Sequence, residues 1–263
     1  MKIVLFDMDG TLTPARKKMQ SDVVKSLIKL QKSGYEIGIV TGSDMNYVQE
    51  QCDLLFDVNA FDYKKVHWLP CNGTKYYRYN SYGEFCWEYK RDMVKVLGED
   101  TYNKLLLVCF ELQGNIAKST DCPLTGNFFN YRGSMLNWCP IGRAAKEKER
   151  LVWREIDQNN NVRHHWKNIL DSKLKELNVN NITVKLGGET SFDIYPSGWD
   201  KTHCLENFKD YSEIIFIGDK CFDSGNDREI YEAVKSSKIG KAYQTNNPQN
   251  TIEIINLILK EEK

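Results

Sequence analysis

Short apolar runs that alternate with helical patterns at both ends of the chain restrict its fold more than any other feature. Near the N-terminus, Lys2–Phe6 and Tyr35–Val40 are typical of buried strands, and Ser21–Lys32 and Asp44–Leu54 carry apolar residues at helical spacing. Near the C-terminus, the strand-like run Glu213–Ile217 lies between two further helical patterns. Strands that alternate with helices predict a parallel sheet covered by helices on both faces.

The middle of the chain does not alternate in this way. Lys75–Tyr89 is rich in aromatic residues and typical of a hairpin, and Ile182–Leu186 and Ser191–Tyr195 are typical of paired strands. Irregular order of strands and helices indicates an α+β unit with an antiparallel sheet. We therefore expect an α/β fold with a Rossmann-like parallel-sheet core and an inserted α+β cap domain. The expected boundaries are 1–81 and 198–263 for the core and 82–197 for the cap.

Composition and charge exclude several classes of partner. The chain has 263 residues, with 36 Lys and Arg against 36 Asp and Glu, so no bulk charge favours nucleic acid. No apolar run approaches the roughly 18 residues that a membrane helix needs. The first apolar stretch, Ile3–Phe6, is short for a secretory signal, and the 8 cysteines form no CxxC pair. We expect a cytoplasmic protein that binds neither nucleic acid nor membrane.

Three predicted strands end in turns that carry acids, hydroxyls and glycines. These turns are Asp7-Met8-Asp9-Gly10-Thr11, Thr41-Gly42-Ser43 and Gly218-Asp219-Lys220, the last followed by Asn226-Asp227. In an open parallel sheet, ligands bind just beyond the carboxyl ends of the strands. One such turn is usually an ordinary loop. Three of them, each at a strand end, indicate a site for a metal ion and phosphate.

The residue types in these turns suit phosphoryl transfer. Asp7 and Asp9 face the same side of an extended backbone, and two such carboxylates repel one another unless a cation lies between them or one of them holds a proton. Asp219 adds a third hard oxygen ligand, which favours Mg²⁺. One acid can attack phosphorus while the other moves a proton, and Thr41 and Lys201 can hold the phosphoryl oxygens. Neither a Walker A motif nor a G-x-S-x-G elbow is present, so a P-loop kinase and a serine hydrolase gain no support.

In chain order, the sequence resembles the four motifs of the haloacid dehalogenase superfamily, at Asp7-Met8-Asp9-Gly10-Thr11, Thr41-Gly42-Ser43, Lys201 and Gly218-Asp219 to Asp227. The resemblance implies an aspartyl-phosphate mechanism in which Asp7 is the nucleophile and Asp9 is the acid and base. It also implies two further sets of residues. The phosphate ligands would be Thr41, Gly42 and Lys201. The metal ligands would be Asp7, Asp9, Asp219 and Asp227.

Longer segments are similar to the eukaryotic-type phosphomannomutases. The similar segments are DMDGTLTPARKKM at 7–19, RGSMLNWCPIGR at 132–143, GETSFDIYPSGWDK at 188–201 and GDKCFDSGNDREI at 218–230. The resemblance implies an isomerase that interconverts mannose 6-phosphate and mannose 1-phosphate and supplies GDP-mannose synthesis. It implies Mg²⁺, a hexose 1,6-bisphosphate activator and a homodimer formed through the cap. The hexose phosphate would be bound by Arg16, Arg132, Arg143, Arg150, Ser191 and Asp193.

A mutase must grip one phosphate while the other reacts, and the planar guanidinium of arginine suits that task. Arg143 and Arg150 are 7 residues apart, which is one helix face if that stretch is helical. Two other functions remain open: a sugar-phosphate phosphatase on the same scaffold, and a catalytically silent sugar-phosphate sensor. The chain departs from the family's pattern at a second cation site. By position, Ala233 and Ser236 replace the Asp and Thr ligands of that site, beside Tyr231, so we expect the site to be weakened or lost.

Overall fold

The computed structural model describes residues 1–57, 61–223 and 225–261, which form two compact units. The first unit is Met1–Lys90 with Trp199–Lys263, and the second is Arg91–Gly198. The second unit therefore begins later than residue 82, the start expected for the cap. The reason is that the second strand of the aromatic hairpin, Phe85–Lys90, pairs within the sheet of the first unit.

The strands of the described residues agree closely with the predicted strands near both chain ends. In chain order they are β1 (Lys2–Phe6), β2 (Tyr35–Val40), β3 (Val66–Leu69), β4 (Lys75–Tyr79), β5 (Phe85–Lys90), β6 (Phe129–Tyr131), β7 (Leu136–Trp138), β8 (Ile182–Gly187), β9 (Ser191–Pro196), β10 (Glu213–Gly218) and β11 (Gly240–Gln244). The short strands β3 and β11 were not predicted. Their apolar runs are brief, and β11 alternates weakly.

The helices of the described residues are α1 (Ser21–Lys32), α2 (Met45–Gln51), α3 (Leu54–Asp57), α4 (Met93–Leu97), α5 (Glu99–Ser119), α6 (Glu147–Asn160), α7 (Val162–Glu176), α8 (Arg228–Ser236) and α9 (Pro248–Glu261). Three further segments are 3₁₀ helices: Tyr63–Lys65, Cys71–Gly73 and Lys201–Phe208. The last of these was predicted simply as a helix. Within the described ranges, no helix combines the length and the apolar character required to cross a membrane.

The first unit is built on a seven-stranded sheet in the order β11-β10-β1-β2-β3-β4-β5. Strands β11, β10, β1, β2 and β3 are parallel, and the hairpin β4-β5 extends the sheet in antiparallel fashion. Phe6 of β1 pairs with Ile39 of β2 and with Ile217 of β10. This register brings the ends of the three central strands to one edge of the sheet. The turns that carry the predicted site residues after β1, β2 and β10 are therefore neighbours.

Alternate residues of each central strand point to opposite faces of this sheet. On one face, Val4 and Phe6 pack in a core with residues of α1 and α9, including Leu27 and Ile255. On the other face, Ile3 and Leu5 pack in a second core with the 3₁₀ segment Lys201–Phe208 and α8. The predicted parallel sheet with helices on both faces is confirmed.

The second unit contains a four-stranded antiparallel sheet in the order β6-β7-β9-β8 together with α4–α7. Trp138 of β7 and Phe192 of β9 are fully buried, and their rings stack with centroids 4.7 Å apart. The α+β character predicted for the inserted part is confirmed.

Candidate active site

Asp7 leaves the end of β1 and lies in a buried group of charged side chains. Its Oδ1 accepts a hydrogen bond from Lys201 Nζ at 2.5 Å, and the same Nζ donates to Asp227 Oδ1 at 2.5 Å. Lys201 and Asp227 are 1% and 0% exposed. A buried cation that bridges two buried carboxylates compensates charges that would otherwise be strongly unfavourable away from water.

Asp219, at the end of β10, completes this group. Ligand oxygens of Asp7, Asp219 and Asp227 all lie within 4.8 Å of one another. Gly10, whose φ is 88°, lets the loop after β1 come this close, because a Cβ on Gly10 would collide with Asp219 Oδ2. Asp219 Oδ1 is buried and has no hydrogen-bond partner among the described residues.

The charges of this group shift the pKa values of its members. Burial raises the pKa of the Asp7 carboxyl well above its usual range, the charge of Asp227 raises it further, and Lys201 opposes both effects. Burial also raises the pKa of Asp219. Burial alone would lower the pKa of Lys201, but Asp227 and Asp7 together raise it above its ordinary value. One cation therefore leaves the three carboxyls short of positive charge.

The group fits a divalent metal ion on these observations. Three carboxylates supply hard oxygen ligands, Asp219 Oδ1 has no partner in the described part of the chain, and Lys201 alone does not balance three negative charges. The sequence predicted that Asp7, Asp219 and Asp227 would lie together, as they do. The Asp9 carboxylate lies outside this group, and its predicted share in metal binding stays a prediction.

Asp9 is held instead by two donors on one of its oxygens. Its Oδ1 accepts a hydrogen bond from the Arg16 backbone N–H at 3.0 Å and from the Tyr47 hydroxyl at 3.0 Å. Arg16 has a φ of 58°, so this loop adopts the left-handed conformation, and its side chain is exposed. Burial raises the pKa of Tyr47, as does the charge of Asp9, so the hydroxyl keeps its proton at neutral pH.

The turn after β2 lies beside the 3₁₀ segment Cys71–Gly73. Thr41 is buried, and its hydroxyl accepts a hydrogen bond from the Ser43 N–H at 3.2 Å. Asn72 donates its N–H to the Thr41 carbonyl and its side-chain amide to the carbonyl of Trp199. The segment thus ties the Thr41-Gly42-Ser43 turn to the chain that leads into Lys201.

The predicted substrate ligands of the second unit lie on and around its sheet. Arg143 donates to Asn137 Oδ1 at 2.8 Å, and Asn137 Nδ2 donates to Asp193 Oδ1 at 2.7 Å. Gly187 lies under the Asp193 carboxylate, where a Cβ would meet Asp193 Oδ2 at 2.7 Å. One amide therefore links the predicted arginine and the predicted aspartate.

Arg150 and Ser191 are linked in a similar way through Thr190. Arg150 donates to Thr190 Oγ1 at 3.4 Å and lies 3.5 Å from Glu189 Oε2, and the hydroxyls of Thr190 and Ser191 are 3.5 Å apart. Arg132 is buried at the β6–β7 turn, where its guanidinium contacts Met135 Sδ. Both Arg132 and Arg150 are less than 9% exposed, unlike ordinary solvated surface arginines.

Arg143 and Arg150 would share one helix face only if the whole stretch between them were helical, and it is not. Helix α6 begins at Glu147 with Lys146 as its N-cap, so only Arg150 is helical. Gly142, with φ at 87°, and the turn that follows it precede the helix. Sequence reasoning also missed Tyr47, Asn137 and Thr190, although Asn137 lies within the similar segment 132–143. A hydroxyl or amide that only links other side chains has no distinctive sequence signal.

The positions that replace the second cation ligands lie within α8. Ser236 Oγ donates to the carbonyls of Glu232 and Ala233, and Lys235 Nζ lies 5.3 Å from the centre of the Tyr231 ring. A regular helix therefore occupies this stretch, with a lysine ammonium beside Tyr231.

Comparison with known proteins decides the family. The sequence profile of the eukaryotic phosphomannomutase family matches residues 23–261. The chain belongs to the eukaryotic phosphomannomutase family. A phosphomannomutase of Saccharomyces cerevisiae is 36% identical over 256 residues, which is 96% of this chain and 92% of the relative. A phosphomannomutase of Schizosaccharomyces pombe is 34% identical over 255 residues, covering 95% and 91%.

Solved structures agree with the fold of this phosphomannomutase family member. An N-terminally truncated, IMP-bound IMP-nucleotidase of Plasmodium falciparum has a TM-score of 0.67 at 14% identity, covering 99% of this chain and 68% of that one. The C-terminal domain of a C. albicans trehalose-6-phosphate phosphatase has a TM-score of 0.61 at 13% identity, covering 98% and 92%. The expected fold class, a haloacid dehalogenase type core with an inserted cap, is confirmed.

Proposed function

We propose that this chain interconverts mannose 6-phosphate and mannose 1-phosphate through an aspartyl-phosphate enzyme and a hexose 1,6-bisphosphate. Relatives with the name phosphomannomutase align over 95% and 96% of the chain. The observation that carries the proposal is the buried group in which Lys201 bridges Asp7 and Asp227 beside Asp219, in a chain of this family.

In the proposed first step, an Asp7 carboxylate oxygen attacks a phosphorus of the hexose bisphosphate. The bond from phosphorus to the sugar oxygen breaks, and Asp9 gives its proton to that oxygen. In the second step, Asp9 takes the proton of a sugar hydroxyl whose oxygen attacks the phosphoaspartate. The electron pair of the broken bond returns to Asp7, so the carboxylate is restored and Asp9 is protonated again.

Lys201 and the loop residues serve this transfer. Lys201 Nζ donates to Asp7, and we propose that it neutralises charge on the transferred phosphoryl group. Thr41 and the Gly42 backbone are proposed to hold phosphoryl oxygens, and the exposed Arg16 side chain is proposed to hold the hexose phosphate.

Mg²⁺ is the divalent ion we propose, with Asp7, Asp219 and Asp227 as the residues that would hold it. Bound there, it would supply positive charge against the mutual repulsion of the carboxylates and the charge of the phosphoryl group. Asp219 Oδ1, which finds no hydrogen-bond partner within the described ranges, supports this assignment.

We propose that the second unit binds the phosphate that does not react. Arg132, Arg143 and Arg150 offer guanidinium groups, and Arg132 and Arg150 are already desolvated, which strengthens a charged hydrogen bond. Ser191 and Asp193 are proposed to contact the sugar. The links through Thr190 and Asn137 fix these side chains before substrate arrives.

The test of the proposed function is the variant Asp7→Asn. We expect it to lose mutase turnover and acid-labile phosphate on the enzyme, because an amide is a poor nucleophile. The matched control is Asp53→Asn, which makes the same change at a partly exposed aspartate that pairs with Lys18 and accepts the Leu54 N–H. Phosphate trapped on Asp7→Asn at the wild-type level would exclude Asp7 as the nucleophile.

The second candidate function is a phosphatase. A phosphatase domain has a similar fold, so the fold is compatible with this alternative. The variants Arg143→Ala and Arg150→Ala distinguish the two. Loss of one charged hydrogen-bonding partner costs roughly 1.5–3 kcal/mol, so mutase turnover should fall about ten- to a hundredfold. Acetyl phosphate hydrolysis needs no second phosphate and should change little.

The control for this pair is Arg154→Ala, one helical turn beyond Arg150 on α6, whose guanidinium forms surface ion pairs with Glu147 and Glu189. An equal fall of both rates in Arg150→Ala would mean that the arginine supports the fold rather than a phosphate. An unchanged mutase rate in both arginine variants would favour the phosphatase.

We further propose a cytoplasmic homodimer joined through the second unit. Leu107 and Phe110, three residues apart on α5, are 67% and 54% exposed. Exposed apolar side chains that share one helix face are typical of an interface. The 8 cysteines, all free thiols in the described structure, support a reducing compartment.

A further inference from the structure

We propose that Tyr47 is a positioning residue for Asp9, which it holds by one carboxylate oxygen so that the other faces the sugar oxygen. The inference rests on the proposed function, because it assigns work to Asp9 in the same transfer. Tyr47 has no place among the motifs that identified the site. Its part follows from the geometry around Asp9 alone.

The Asp9 carboxylate is anchored asymmetrically. Oδ1 accepts both the Tyr47 O–H and the Arg16 N–H, each at 3.0 Å, whereas Oδ2 accepts no hydrogen bond from the described residues. An oxygen that already accepts two donors has little capacity left for a proton. The proton exchanged with the sugar is therefore carried by Oδ2, and the two donors fix the direction in which Oδ2 points.

The backbone holds both donors in place. Tyr47 is in the first turn of α2, and its N–H donates at 3.0 Å to the side chain of Asp44, the N-cap residue. Arg16 presents its N–H from a left-handed conformation that residues other than glycine seldom adopt. The tyrosine ring packs against the core around β1 and β2. A hydroxyl fixed in this way limits rotation of the Asp9 side chain, and orientation of an acid–base group governs its rate.

The step that Tyr47 assists is transfer from the phosphoaspartate to a sugar hydroxyl. There Asp9 Oδ2 accepts the hydroxyl proton, the sugar oxygen bonds to phosphorus, and the phosphorus–oxygen bond to Asp7 breaks. Phosphorylation of Asp7 by acetyl phosphate differs, because acetate leaves readily without a proton. Loss of the Tyr47 hydroxyl should slow the first reaction and spare the second.

The experiment is a double-mutant cycle with Tyr47→Phe and Asp9→Asn, in which phosphorylation by acetyl phosphate and transfer to mannose 6-phosphate are timed separately. We expect Tyr47→Phe to slow transfer about tenfold, the lower end for losing one charged hydrogen bond, since the Arg16 N–H remains. Phosphorylation should stay within about twofold. Asp9→Asn should slow transfer by roughly 10²–10⁴, the usual span for a positioned acid or base.

The cycle supports the proposal if Tyr47→Phe has no further effect on transfer once Asp9 is Asn, because the hydroxyl then has no acid–base group to orient. Multiplicative effects, or an equal slowing of both half-reactions, would overturn it. So would a Tyr47→Phe transfer rate equal to that of Tyr63→Phe, a control that loses a hydroxyl bonded to the Phe56 carbonyl. If wild-type phosphoenzyme forms but never passes phosphate to sugar, the proposed function fails instead, and the two failures are distinct.

Discussion

Replacement of Lys201 by methionine tests whether one buried cation holds the carboxylate group together. The side chain keeps nearly the same length but loses the ammonium that bridges Asp7 and Asp227. Both carboxylates are buried, and Asp219 stands beside them. Breaking a buried ion pair by removing one partner costs about 3–5 kcal/mol, because the remaining charge is left uncompensated.

For a chain of this size, roughly 3–5 kcal/mol corresponds to a Tm lower by about 6–20 °C. The assay is thermal unfolding of Lys201→Met in EDTA and again in excess Mg²⁺. We expect the Tm of Lys201→Met to lie furthest below the wild-type Tm in EDTA and closer to it in excess Mg²⁺, because a bound ion then supplies positive charge that the ammonium no longer supplies. Mutase turnover should be abolished in both conditions.

The matched control is Lys209→Met, which removes a lysine just after the same 3₁₀ segment. Lys209 pairs with Glu206 at the surface, where both side chains are more than 60% exposed. Exposed ion pairs contribute little, so this variant should unfold like the wild type. If Lys201→Met in EDTA is as stable as Lys209→Met, the argument that buried carboxylates depend on Lys201 is refuted.

Three further predictions concern metal binding, pH and assembly. Calorimetric titration should find one Mg²⁺ site per chain, whose affinity Asp219→Asn lowers and Asp53→Asn does not. A second tight divalent site near Tyr231 would contradict the expectation that Ala233 removes a ligand of the family's second cation site. The hydrogen bond from His67 holds the pKa of Glu36 below its ordinary value of 4.5, so its contribution to stability is present above pH 4.5 and is lost as pH falls through the lowered pKa. The Tm gap between wild type and Glu36→Gln should therefore close below pH 4.5, and a gap that stays constant to pH 3 would disprove this linkage. Leu107→Glu should convert a dimer to monomers in light scattering, whereas Leu151→Glu, at a leucine of α6 that is 51% exposed, should not.

The core of the fold could be predicted because its signals are local. Each central strand is a short apolar run, and α1 carries its apolar residues on one face, so burial and period agree. Strands β3 and β11 were not predicted, because a run of four or five residues of mixed polarity cannot be told from a loop by its sequence pattern. The start of the second unit was placed too early because a hairpin signal does not reveal which sheet the hairpin joins.

The site was predictable to the extent that it lies at strand ends. Register alone brings Asp7 and Asp219 together, and the parallel sheet makes that register foreseeable. The side-chain links could not be foreseen, because they depend on rotamers and on turns such as the left-handed Arg16. For the same reason, the sequence positions of Asp7 and Asp9, with one residue between them, do not reveal that the Asp9 carboxylate lies apart from the others.

The separation of Asp9 from the buried carboxylates suits the different roles proposed for Asp7 and Asp9. Asp7 and Asp227 are buried beside Lys201, where a fixed charge is compensated by a cation but proton exchange with water is restricted. Asp9 is partly exposed, and its hydrogen-bond donors among the described residues are an O–H and an N–H, both neutral. A nucleophile must stay ionised, and Asp7 can do so against its raised pKa only with the positive charge of Lys201 and of the proposed metal ion beside it, whereas an acid–base group must gain and lose a proton in each cycle. The environment that suits the first task is wrong for the second, so the proposed chemistry requires the two aspartates of one turn to occupy different surroundings.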